Sequence, residues 1–73
     1  MRGKAYALMR YRDVQAISLS KSNAQEILTD YALEDGYYTF MYDFNYLALP
    51  IEDALESANE IMEQWRIWEF DLV

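Results

Sequence analysis

YYTFMYDF, residues 37–44, is the stretch whose reading decides the fold. Its side chains alternate, with Tyr38, Phe40, Tyr42 and Phe44 on one side and Tyr37, Thr39, Met41 and Asp43 on the other, the period of a β-strand. Just upstream, SKSNAQEILTDYALEDG (20–36) opens with Ser20 as a candidate N-cap and sets Ala24, Ile27, Leu28 and Tyr31 at helical spacing. Gly36 then stands where a glycine ends a helix, so a first helix is expected over about 21–34. Downstream, Asn45 is expected to turn the chain into a short strand, YLAL (46–49). Pro50 follows, in a place favoured for the first turn of a helix.

The ends of the chain complete the pattern. KAYALMRY (4–11) and VQAISL (14–19) are rich in β-formers and flank a short polar break, which predicts a hairpin. PIEDALESANEIMEQW (50–65) carries Ile51, Ala54, Leu55, Ala58, Ile61, Met62 and Trp65 as one helical stripe. RIWEFDLV (66–73) is read as a closing strand with Trp68, Phe70 and Leu72 inward and Glu69 and Asp71 outward. The expected fold is a single α+β domain over 1–73 in the order ββαββαβ. It would form a small two-layer sandwich, an antiparallel or mixed sheet with two helices on one face.

Charge is distributed unevenly. Residues 1–21 hold Arg2, Lys4, Arg10, Arg12 and Lys21 against Asp13 alone, a net of +4. Residues 22–65 hold ten acids and no Lys or Arg, within a total of −7. Ordinary surfaces mix both signs, so a 44-residue block without a cation points to a basic partner and away from nucleic acid or anionic lipid. On the second helix Glu52, Glu56 and Glu60 repeat at i, i+4, with Glu63 continuing the row. Each like-charged pair costs about 0.2–0.5 kcal/mol in an isolated helix. Glu52 and Asp53 are favoured near a helix N-terminus, but Glu60 and Glu63 lie at the wrong end of the macrodipole. Glu26 and Asp30 form a similar pair on the first helix.

The composition argues against an enzyme. With no His and no Cys, the commonest general base, thiolate metal sites and disulfides are all missing. The two glycines, Gly3 and Gly36, make no phosphate loop, and no D-x-D-x-D-G calcium loop is present. No catalytic residue, metal ligand or cofactor is expected. The apolar run AYALM (5–9) is too short for a signal-peptide core, and nothing approaches a membrane span, so a cytoplasmic location is expected.

The partner-binding residues expected from these patterns are Glu52, Asp53, Glu56, Glu60, Glu63, Glu26 and Asp30. Tyr37 and Met41 are added as exposed apolar anchors beside acids. The stretches IEDALESANEIMEQ and AQEILTDYALEDG, with the charge block, resemble small acidic inhibitors encoded by phages, of the anti-CRISPR or DNA-mimic type. That resemblance implies steric and electrostatic blocking of a nuclease or other basic nucleic-acid enzyme in a bacterial cytoplasm. Two other readings use the same features: an antitoxin or immunity protein against a cationic toxin, and a homo-oligomeric scaffold component. A homodimer is compatible with each. One acidic helix supplies a charge every ~6 Å, against ~3.4 Å along a DNA strand. Phosphate mimicry therefore requires both acidic helices side by side.

Overall fold

The computed structural model describes residues 3–72. In chain order these are β1 (Gly3–Arg10), β2 (Asp13–Ser18), α1 (Lys21–Asn45), α2 (Ile51–Glu63) and β3 (Trp65–Leu72). The fold is α+β, a three-stranded antiparallel sheet in the order β2-β1-β3 plus two helices.

The expected hairpin is present and turns through Tyr11 and Arg12. Tyr11 takes φ 56°, a left-handed value, and its N–H donates to the Gln64 carbonyl at 3.1 Å. The β1–β2 register shifts between Leu8 and Met9, which pair with Ala16 and Val14 and leave Gln15 as the extra residue of a bulge. β3 pairs along the whole of β1, from Gly3 opposite Leu72 to Arg10 opposite Trp65.

Ser20 caps α1 as its sequence position predicts, its side chain accepting from the Asn23 N–H. The helix then crosses one face of the sheet. Asn23 bonds to Ser18 at one end, and Tyr31 meets Trp65 edge-on at 5.6 Å near the other. Asp35 reaches Arg10 and Trp65, the last residue of β1 and the first of β3. Ten residues of α1 remain beyond that point, about 15 Å of helix, with no sheet beneath them. α2 returns along this overhang. Met62 lies against Gly36, and the Leu49 N–H donates to the Asp43 carbonyl at 3.0 Å.

Several expectations are corrected here. The order is ββααβ, and 37–44 is helix rather than strand. Six of those eight residues are aromatic or Met, so the segment satisfies a period of two or of 3.6 almost equally well. Packing against α2 decides between them. The helix predicted to stop at residue 34 runs to Asn45. Residues 46–49 form the connection to α2 rather than a strand, with Ala48 at φ 52°. Gly36 is inside α1 and buried: a Cβ there would stand 2.7 Å from Met62 Cγ and Sδ, so glycine serves close helix approach, not termination. Only α1 covers the sheet, while α2 packs on α1, so the two-layer sandwich with both helices on one sheet face is not formed. Pro50 is the N-cap of α2, and β3 lies within one residue of its expected start.

Paired strand residues share a face, so the register assigns both faces of the sheet. Leu8, Arg10 and Trp65 face α1, with Glu69 and Asp71 on that same side. Ala5, Ala7, Met9, Ile17, Trp68 and Phe70 face away from it. Trp68, Phe70 and Leu72, expected to point inward, therefore lie on a helix-free face and are exposed.

The resulting molecule is elongated. It measures 53 × 19 × 15 Å with a radius of gyration of 15.0 Å, against about 11 Å for a compact chain of this length. Its fully buried residues are mostly alanines (Ala5, Ala7, Ala24, Ala54, Ala58), and Leu8 is the one large side chain wholly shielded among the described residues. No helix among the described residues is long and apolar enough to cross a membrane. Arg2 and Val73, counted above in the charge block and the closing strand, fall outside the described residues.

Candidate functional site

α2 is amphipathic because its apolar positions recur at i, i+4, with Ala54 and Ala58 buried and Ile61 and Met62 half-buried. The same helical period turns Glu52, Asp53, Glu56, Glu60 and Glu63 to solvent, and all five are exposed. Ion pairs among the described residues lie elsewhere: Lys4 meets Glu69 at 3.7 Å and Asp71 at 3.9 Å, and Arg10 meets Asp35 at 2.7 Å. The N-terminal cations thus turn toward acids of their own sheet and of α1. None of the acids of α2 has a cationic partner among the described residues.

The two predicted acidic rows do not merge. Glu26 and Asp30 are exposed on the part of α1 that crosses the sheet, beside Ser22, Gln25 and Thr29 in a shallow surface depression. α2 comes alongside α1 only from Gly36 onward, ten residues beyond Glu26, a distance of about 15 Å along the helix. The acids therefore run end to end along the long axis instead of side by side.

Tyr37 and Met41 do come together, although in a helix and not a strand. A separation of four residues keeps two side chains on one face in either structure. With Tyr38, Tyr42, Asn45 and Tyr46 they line a shallow groove on the overhang. Tyr37 is 60% exposed and Tyr46 79% exposed. Ring contacts stiffen this surface: Tyr37 meets Tyr38 edge-on at 5.6 Å, and Tyr42 lies 5.6 Å from Tyr46. On α1 the positions Ala24, Leu28, Tyr31, Asp35, Tyr38 and Tyr42 follow alternating steps of four and three. The first four of these lie over the sheet. Tyr38 and Tyr42 continue the stripe past its end and stay exposed.

At the point where α1 leaves the sheet, Asp35 Oδ2 accepts from Arg10 Nε at 2.7 Å and from Trp65 Nε1 at 2.9 Å. The Arg10 guanidinium also lies 5.4 Å from the centre of the Tyr11 ring. The hydrogen bond to Asp35 holds the Arg10 pKa above its ordinary value. Sequence reasoning placed Asp35 at a helix end and missed this junction. The signal was an acid at helical spacing from Tyr31, within an otherwise apolar stripe.

Among the described residues no group of three or more His, Cys, Asp or Glu is placed to hold a metal ion. Comparison with protein-family models, with curated proteins and with solved structures finds no match.

Proposed function

We propose that this protein is a small acidic inhibitor whose helical overhang, α2 with the distal part of α1, enters the basic nucleic-acid-binding groove of a nuclease or related enzyme. One observation carries the reading: α2 exposes five carboxylates with no cationic partner among the described residues, on a limb that projects clear of the sheet. A free row of this kind costs helix stability, and complementary charge on a partner would repay it.

The geometry narrows the mode of binding. From Glu52 to Glu63 the row spans about 16 Å, with charges every ~6 Å. That is too sparse to imitate successive phosphates of one strand, and Glu26 and Asp30 lie too far along α1 to fill the gaps. Pairing with individual Lys and Arg side chains suits this spacing better. Tyr37, Met41 and their neighbours would supply apolar contact beside the charged row, as interface centres do. Blocking would be steric and electrostatic, with fast, salt-sensitive association.

The test is capture by immobilised wild type beside Glu52→Lys/Glu56→Lys/Glu60→Lys, eluted along a salt gradient, followed by nucleic-acid binding assays on the captured enzyme. Capture by wild type alone, release at moderate salt and loss of the enzyme's nucleic-acid binding are expected. Equal capture by both forms would exclude the acidic row as the binding surface.

A further inference from the structure

We infer that the helix-free sheet face is the interface of a two-fold dimer, and that its occupant is a second copy of this chain. The inference is independent of any inhibited partner. It rests on the shape, charge and area of the face, and on what the isolated fold leaves unburied.

The shape is a trough. Ala5 and Ala7 of the central strand form its floor, nearly inaccessible between taller neighbours. Val14 and Ile17 of β2 make one wall, and Trp68, Phe70 and Leu72 of β3 make the other. Ile17 is 62% exposed and Trp68 63% exposed. Two such faces cannot meet trough to trough without leaving a void. Displaced by about one strand spacing, ~4.8 Å, the Trp68–Phe70 wall of each copy fills the alanine trough of the other. That exchange is reciprocal, as a two-fold interface demands, and gives sheets packed face to face ~10 Å apart.

The charge fits the same occupant. The chain holds thirteen acids, yet the strand register puts none on this face. Asp13, Glu69 and Asp71 all lie on the helix-bearing side, and Arg66 is the charged residue within the open face. In a protein of net charge −7, a copy approaching from any other direction meets repulsion. This face is where two copies can approach without opposing carboxylates.

The area is sufficient. The exposed parts of Val14, Ile17, Trp68, Phe70 and Leu72 amount to roughly 500 Å² of side chain, using 150–250 Å² for each large residue. Two copies then cover about 1,000 Å², the lower bound for a specific interface. The need is constant as well: with Leu8 as the one large side chain wholly shielded, the single copy has little core of its own. A second copy is the occupant present wherever the chain is made.

The full chain, measured by sedimentation across a hundredfold range of concentration, is expected to reach twice 8.7 kDa. Trp68 emission, isolated in a Trp65→Phe variant, should shift to the blue as the dimer forms. Ile17→Lys/Trp68→Glu should weaken self-association by at least about 100-fold, since both charges would be buried unpaired. Circular dichroism of that variant should match wild type, because both residues are exposed in the single copy. Glu56→Lys, on the far limb, should dimerise like wild type. A protein that stays monomeric at high concentration would overturn the inference. So would a dimer in which Trp68 remains exposed, which indicates edge-to-edge pairing, or an open-ended series of oligomers.

Discussion

Gly36 and Asp35 adjoin in sequence and do opposite work. Gly36 lets α1 and α2 approach, because any Cβ would press on Met62. A glycine inside a helix normally costs up to about 1 kcal/mol relative to alanine. Gly36→Ala should therefore fail to give that gain in the wild-type background. In a Met62→Ala background, where the obstructing side chain is gone, the same change should stabilise by about 0.5–1 kcal/mol, read from denaturant unfolding. A stabilisation of equal size in both backgrounds would show that the close approach is not limiting.

Asp35 ties α1 to both β1 and β3 through one carboxylate oxygen. Asp35→Ala leaves Trp65 Nε1 and Arg10 Nε without their acceptor and should cost about 1–3 kcal/mol. Asp35→Asn keeps an acceptor oxygen and should cost less. Arg10 has its pKa raised by this contact, so its contribution is fully present below the unfolded value and is lost only as pH rises through the folded one. That window begins above the model value of 12.5, beyond ordinary buffers, so Arg10 imposes no pH dependence near neutrality.

At the scale of elements, α2 was legible and α1 only in part. Its apolar spacing, Pro50 and the acids on its outer side define α2 from sequence, because one stripe packs against one neighbour. α1 has two neighbours in succession, the sheet and then α2, so its apolar residues do not keep to one stripe. Tyr37 to Phe44, rich in aromatics on every side, then fits strand and helix periods alike. The exposed row on α2 yields a prediction with two opposite readouts. Glu56→Lys removes two like-charged i, i+4 neighbours and creates two attractive ones, so thermal stability should rise slightly, by less than about 1 kcal/mol. Binding to a basic partner should fall. If stability falls or binding holds, the row is not kept acidic for a partner.

At the scale of the whole molecule, the elongated shape and the open sheet face make stability a property of concentration. If the native form is a dimer, mass action raises its unfolding midpoint as protein concentration rises. Thermal scans at ten and a hundred times a starting concentration should show that increase in wild type and not in Ile17→Lys/Trp68→Glu. A midpoint independent of concentration in both would speak for a monomer that tolerates its exposed face.

The sequence by itself determined the hairpin, the Ser20 cap, the start of α2, the closing strand and the acidic row, each set by local spacing or by a capping residue. It also marked Trp68, Phe70 and Leu72 as one stripe. Only the tertiary structure decided that residues 37–44 are helical, that Gly36 is a contact and not an end, and that the stripe on β3 faces away from the helices. The physical reason is shared by all three. Periodicity states which side chains lie on a common face, but the element opposite that face is contributed by residues far away in the chain.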